Sequence, residues 1–410
     1  MEQVIKQDSL SRKLEWFWFG LMIYNVGYCG NDIEIPFVYR LGVMFGVPAC
    51  LYALFCALTE RSKESIASRA VFFPLIAWLC FMYFNSKPEM MLDFYSYFYT
   101  FTILPYLGFF FLIIPTLSLL RSFFAVAYRT YWWYFFVCLI PLFFPWKFGF
   151  IQIIFESYAI AAVFIFLTNK YHPSKMIILS AVALFISFLV VTLTARRNVM
   201  LTIALYIMIG SLSYLFGSKI KSLENRIVLI VCTVLFMILA IFVFVTDSSG
   251  AFALISQRAS ENTREGVFLA FALDMDQLSD WIWGRGIFGT YYCPGVDGEG
   301  TEDRGAIECG YLQWILNGGI VYLVLYLAVF ITAVVKGLRA HNQLCHACGW
   351  IALVQIIDMF PFGLHAFDNK TFMIWMAVAV CYNKSLCSKS DDEISALCFE
   401  EKVPILPWQK

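Results

Sequence analysis

A chain of 410 residues with 61% hydrophobic and only 14% charged positions carries more apolar surface than one or two globular cores can hide, which excludes a soluble protein. Lys and Arg number 29, as do Asp and Glu, so the formal charge is zero and no global basic field points to nucleic acid. The expected class is all-α: a polytopic integral membrane protein with residues 1–410 as one membrane domain, without internal repeats, low-complexity tracts or a releasable soluble domain.

In chain order, Lys6, Arg12 and Lys13 precede the first apolar run. No small-residue cleavage site follows, so that run reads as a retained span. Apolar stretches of about 20 residues predict roughly twelve membrane helices. The first six lie near Leu14–Cys29, Phe37–Leu58, Ala70–Phe84, Tyr95–Leu120, Tyr131–Trp146 and Phe150–Thr168. The second six lie near Met176–Leu193, Val199–Gly217, Ile227–Val245, Leu312–Val335, Ala347–Phe362 and Thr371–Asn383. The fifth, interrupted by Pro141 and Pro145, either spans, re-enters or merges with its neighbours. With the amino terminus inside, 19 of the 29 basic residues fall on the cytoplasmic side and 10 outside. Both termini are then cytoplasmic, residues 384–410 form a polar tail, and residues 247–311 form a long external loop.

Most of the 13 cysteines lie in spans, where they act as small apolar residues. Cys293 and Cys309 both fall in the external loop, where a disulfide is permitted but not required. His341, Cys345, His346 and Cys348 resemble metal ligands, but without a second regularly spaced pair they read as a polar turn.

Thr194 to Asn198 form a tight external turn that sets Arg196 and Arg197 at the membrane surface, against the positive-inside trend. Asn198 can cap the following helix, whose first N–H groups and dipole make an anion site beside the arginines. The alternative is that both arginines snorkel to lipid phosphates.

Within the long loop, Asn262 and Glu265 are a capping-box start signal. Phe268, Phe271, Met275 and Leu278 continue as one stripe of an amphipathic helix lying on the membrane or over its outer vestibule. Arg264 sits in its first turn and Arg258 just upstream, either gripping phosphate or neutralised by Glu261 and Glu265. Trp283, Gly284, Arg285, Gly286 and Gly289 then predict an irregular loop free to move. Trp281, Trp283, Tyr291 and Tyr292 suit an interfacial belt or sugar stacking. Glu308, at the border of the tenth span, is the candidate general base if partly desolvated, or else the ion-pair partner of Arg304.

These residues resemble those of the bacterial O-antigen polymerase and ligase superfamily, the Wzy-type polymerases in particular. The resemblance rests on Ala195-Arg196-Arg197-Asn198, on Arg258 and Arg264 in a helical external loop, and on Gly284-Arg285-Gly286. It continues through Glu308-Cys309-Gly310-Tyr311-Leu312-Gln313 to Gly318 and Gly319, and covers roughly Met176 to Val335. It implies a C-type glycosyltransferase architecture in the bacterial inner membrane, using undecaprenyl-pyrophosphate-linked glycans as donor and acceptor without metal or other cofactor. Arg196, Arg197, Arg258 and Arg264 would bind pyrophosphate, with Arg285, Arg304 and Tyr311 as secondary substrate contacts. Similar ligases place a histidine near the Glu308 position; its absence argues for a polymerase and leaves His365, in the turn after the eleventh span, as the alternative base. A chain-length-regulating co-polymerase is a candidate partner. The competing readings are a ligase that transfers finished polymer to lipid A-core and a flippase for lipid-linked glycans, for which Glu156 and Asp358 are the buried ionisable candidates.

Overall fold

The computed structural model describes residues 3–32, 35–60, 66–87, 97–98, 101–143, 161–193, 197–216, 263–294, 303–361 and 364–401. The ninth expected span, residues 150–160 of the sixth, Glu156, Arg196 and Arg258 lie outside them. The described residues are predominantly helical, as the composition predicts. By length and composition, Pro36–Thr59, Ala67–Phe84 and Gly310–Leu338 are each long and apolar enough to cross a membrane.

Helices α1 (Ser9–Asp32) and α2 (Pro36–Thr59) form a hairpin whose backbones touch. A Cβ on Gly27 would lie 2.4 Å from the Gly42 Cα, and one on Gly20 2.7 Å from the Gly46 carbonyl oxygen. Small residues permit this approach, which replaces the hydrophobic drive that is weak between helices in lipid. Helix α3 (Ile66–Phe84) follows.

The fourth and fifth expected spans are corrected. The described part of Tyr95–Leu120 contains a buried 3-10 helix, Leu104–Leu112, and α4 then runs unbroken from Thr116 to Phe143. The stretch around Arg121 and Arg129, expected as a connecting loop, is therefore helix. Two turns apart on α4, these arginines face Asp8, 2.7 Å from Arg121, and Glu15, which sits two turns into the α1 segment. Paired charges remove the need for a solvated break.

Residues 161–167 (α5), Ser174–Leu193 (α6) and Arg197–Phe216 (α7) continue the bundle. Thr263–Asp274 (α8) and the short Leu278–Trp283 (α9) belong to the long loop. Gly310–Leu338 (α10), Gln343–Asp358 (α11), Asn369–Tyr382 (α12), Lys384–Cys387 (α13) and Asp391–Cys398 (α14) complete it. Every residue of α12 except Lys370 is buried, so α12 is the hub of the core. Its Trp375 packs edge-on against Phe109 at 4.8 Å and Phe330 at 5.4 Å, and closes on Gly108, where a Cβ would sit 2.3 Å from the indole. The irregular 3-10 backbone is thus sheltered by protein, the condition for such backbone at membrane depth.

One end of the bundle gathers both ends of the described chain. Strand β1 (Gln3–Ile5) pairs antiparallel with the last strand, β4 (Phe399–Glu401). The Asp391 carboxylate accepts from Lys170 at 2.7 Å, from the Gln343 N–H at 2.7 Å and from Tyr171. Burial alone would raise this carboxyl, but these donors outweigh it and hold it below the usual range. Asp8 behaves alike: donors at Ser11, Arg121 and Ser118 overcome burial.

The glycine seam makes a direct prediction. Gly42→Leu forces α1 and α2 apart and should cost at least ~2 kcal/mol by overpacking, lowering the thermal midpoint of the purified protein by several degrees. A midpoint equal to that of the parent protein would show that the seam does not support the fold.

Candidate functional site

Helix α10 does not run straight. Gly319 has φ +69°, a left-handed value that breaks the helical ladder there. The carbonyls thereby freed are taken by the long loop: the Arg285 N–H donates to Leu316 O at 2.7 Å and the Gly286 N–H to Asn317 O at 3.0 Å. Gly284, at φ +72°, leaves no room for a side chain, because a Cβ would meet the Gly318 and Gly319 nitrogens at 2.6 Å. A Cβ on Gly319 would lie 2.0 Å from Ile282 O. Helix α3 closes the joint, with Trp78 Nε1 donating to Gly318 O at 3.0 Å and Asn85 Nδ2 to Gly284 O at 2.8 Å. The segment expected to move freely is instead locked into the α10 kink.

Arg285 completes the lock. Its Nε donates to Asp280 at 2.8 Å, its Nη2 to Asp274 O at 2.7 Å, and its Nη1 to the Asp274 carboxylate and to Thr290 O at 3.0 Å. The guanidinium therefore ties the loop to itself.

Above the joint, Val267, Phe271 and Met275 bury against Tyr291, Cys293, Ile307 and Cys309 in a small second core. This corrects the expected stripe by one position: Val267 takes the inward place, and Leu278 opens α9, exposed. Leu269 and Leu273 on the opposite side of α8 are also exposed, which suits a lipid interface. Arg264 stands in the first turn of α8, as expected, and Arg197 opens α7, so Asn198 lies within that helix and not before it. Cys293 and Cys309 are both free thiols in the second core. Strand Tyr291–Tyr292 (β2) pairs with Asp303–Arg304 (β3), setting Arg304 opposite Tyr291.

Glu308 is exposed, which corrects the expectation of a desolvated carboxylate. Its neighbours Ile307 and Cys309 turn inward, and alternation sends the side chain between them outward. The chain then enters α10, pinned by the Gly310 N–H donating to Met359 O at 2.8 Å and the Tyr311 hydroxyl donating to Ile356 O at 2.7 Å.

Beneath this mouth lies a narrow cavity of about 20 Å³, room for roughly one water. Ala306, Tyr106, Gln313, Trp314, Asn317 and His365 line it. Gln313 bridges Asn317 Oδ1 at 3.0 Å and Gly305 O at 3.1 Å, and accepts from the Ile307 N–H at 2.8 Å. The His365 ring lies 4.9 Å from Trp314, and its Nε2 is 2.5 Å from the Tyr326 hydroxyl. Burial, with Lys370 adding to it, pulls His365 down to about 3, so the ring is neutral near pH 7. Trp314 Nε1 and the Tyr322 hydroxyl are buried without a partner among the described residues, an unmet donor capacity that a polar guest would satisfy. Nearby, buried Asp358 is neutralised by Lys370 at 2.6 Å and by the Thr202 hydroxyl at 2.6 Å.

His365 thus lines the same cavity as Gly305 and Ala306, between Arg304 and Glu308 in sequence, while Tyr311 is tied to Ile356 and Arg285 is locked into its loop. The described side chains do not include those of Arg197 and Arg264. Gln313, Asn317, Trp314 and Tyr326 are additional candidates; polar residues four apart in an otherwise apolar span were the signal for the first two. The histidines and cysteines of the 341–348 turn separate: Cys345 and Cys348 are buried in α11, while exposed His346 bonds Ala340 O at 2.8 Å. No family model matches the chain, and no curated protein matches it. Its chemistry must be read from the site itself.

Two outcomes follow from this geometry. Gly319→Ala should destabilise by about 2 kcal/mol or more through the positive φ and the Ile282 clash, and should expose the 284–289 loop to protease; an unchanged digestion pattern would contradict the interlock. Because the folded His365 is depressed below its ordinary 6.5, the unfolded chain binds the extra proton between these values. Its contribution to stability is therefore full above about pH 6.5 and lost as pH falls toward 3. Thermal midpoints measured across that window should fall less steeply in His365→Asn than in the parent protein.

Proposed function

We propose that the chain is a membrane glycosyltransferase that polymerises oligosaccharide repeat units carried on undecaprenyl pyrophosphate, at the external face of the bacterial cytoplasmic membrane. An even number of crossings, fewer than the twelve read from the sequence, with both termini inside, is the topology of the proposal. An even number of crossings agrees with the pairing of β1 with β4 at the same end as the 168–174 and 339–343 connections. The observation that supports the activity most is the glycine interlock, which fixes the loop between Arg264 and Glu308 against the α10 kink, beside a cavity that holds the unpartnered Trp314 Nε1.

In this scheme an acceptor sugar hydroxyl attacks the anomeric carbon of the donor glycan. The bond from that carbon to the pyrophosphate oxygen breaks, and the lipid pyrophosphate leaves with the electron pair. Arg196, Arg197, Arg258 and Arg264 offset the charge gathering on the leaving group, since arginine stays charged and forks onto phosphate. Glu308, exposed at the mouth, receives the hydroxyl proton. His365 is unsuited to that role: an imidazole that binds a proton only near pH 3 stays neutral through the reaction, so it orients Tyr326 and the cavity wall instead. Arg285 shapes the loop, and Arg304 contacts the glycan. No cofactor takes part.

Purified protein in proteoliposomes, supplied with a lipid-linked repeat unit, should build a ladder of longer lipid-linked glycans. Glu308→Gln and Arg264→Ala should each slow chain growth by about 100-fold, the scale of a lost proton acceptor or charge stabiliser. Undiminished growth in both variants would refute the assignment. Transfer to lipid A-core instead of to a second repeat unit would make the protein a ligase, and movement of chemically unchanged lipid across the bilayer a flippase.

A further inference from the structure

Several cations at the end of the bundle where the chain ends meet have a carboxylate. Arg121 pairs with Asp8, Arg129 with Glu15, Lys170 with Asp391 and Lys389 with Glu393. Three that lack one converge on a single place. Lys336 lies in the last turn of α10, Arg339 is the C-cap of that helix, and Lys384 opens α13; none makes an ion pair or a side-chain hydrogen bond with a described residue. All three line one cavity of about 420 Å³ between the carboxyl end of α10 and the corner joining α12 to α13, and no Asp or Glu is among its lining residues. Lys336 is held in place by the Tyr382 ring, with Nζ 4.1 Å from the centroid.

A general excess of basic residues on one side of a membrane accounts for the sign of these charges but not for their convergence on a concavity. Helix dipoles are also too small to balance them. The carboxyl ends of α10 and α12 contribute about half a negative charge each, roughly one in all against three cations. The deficit, about two charges, has the size of a phosphate monoester, and a phosphodiester offsets half of it.

We propose that this cavity binds a phosphate-bearing anion, with Lys336 and Lys384 as point charges and the Arg339 fork on the phosphate oxygens. It is a second site, at the opposite end of the bundle from the α10 mouth, and does not depend on the glycosyltransferase reading. Because it lies where α10 and α12 end, the phosphate can come from the headgroup of an anionic phospholipid or from a soluble compound.

Cys387 lines the same cavity and is half-buried, so its thiol reports occupancy. Full-length protein in phosphatidylcholine nanodiscs is alkylated with a maleimide, and Cys387 labelling is quantified by mass spectrometry, with the exposed Cys80 as internal control. Dioctanoyl-phosphatidylglycerol or inorganic phosphate is titrated in. Protection of Cys387, several-fold and without change at Cys80, is expected from at least one of them. Protection by the lipid alone identifies a headgroup site; protection by inorganic phosphate identifies a soluble ligand. In Lys336→Gln/Arg339→Gln/Lys384→Gln the half-protecting concentration should rise at least ~10-fold. Should that triple variant fail to fold, Arg339→Gln alone, at an exposed side chain, should still raise it several-fold. No protection by either probe, or an unchanged midpoint in the folded variant, overturns the proposal.

Discussion

The candidate site depends on one backbone joint, the seating of Gly284–Gly286 in the kink of α10 at Gly318 and Gly319. A helix inside a membrane cannot leave carbonyls unmet, because no water is present to satisfy them. The kink at Gly319 frees the Leu316 and Asn317 carbonyls, and the external loop supplies the two N–H groups that take them. Kink and loop are therefore a single structure: neither has satisfied hydrogen bonds without the other. That is why glycine recurs at both sides of the joint, where a Cβ would collide within 2.6 Å or less. Arg285 then fastens the far side of the same loop through Asp274 and Asp280. A charge that reads in the sequence as a secondary substrate contact is committed to holding the loop in place.

The two ends of the bundle solve their electrostatics differently. At the end where β1 meets β4, Asp8, Glu15 and Asp391 meet Arg121, Arg129 and Lys170 across elements, so that these charges cancel locally. At the other end Arg285 is balanced within its own loop by Asp274 and Asp280, and Lys370 by Asp358, while Glu308 is exposed. Between them α12 is buried at every residue but Lys370, and its aromatic rings give the bundle a rigid centre against which the irregular 104–112 segment can pack. A rigid centre that holds charged residues in place suits preorganised charge stabilisation.

How much of this was legible in the sequence follows from the range of each interaction. Helix positions in α1, α2, α3 and α10 were readable because length and apolarity are local properties. The motif residues Gly284, Gly286, Gly318 and Gly319 were also visible one by one. Their pairing was not, since nothing local links positions more than thirty residues apart, and glycine in a loop signals freedom as readily as close contact. That the fifth expected span merges with what precedes it was one of the readings left open, but the extent of α4 was hidden for a similar reason. Arg121 and Arg129 read as a solvated loop until Asp8 and Glu15, more than a hundred residues earlier, are seen to neutralise them. Glu308 failed on a smaller scale: whether a border carboxylate points in or out is decided by the inward turn of Ile307 and Cys309, a parity that loop residues do not advertise.

The contrast between Glu308 and His365 sharpens what the mouth of α10 can do. A buried imidazole flanked by Trp314 and Tyr326, with the Lys370 charge nearby, is a good structural neighbour and a poor proton acceptor. An exposed carboxylate is the reverse, reachable by a sugar hydroxyl. The backbone beneath it is well placed. Cys309 and Gly310 are fixed by Met359, Tyr311 by Ile356, and Ile307 by Gln313, so the residues on both sides of Glu308 are anchored. Positioning by neighbours lets one residue stay open to solvent and still present its carboxylate at a defined height above the cavity. It also explains why the polar residues Gln313 and Asn317 sit one turn apart on α10: they hold the floor of the mouth while the loop holds its rim.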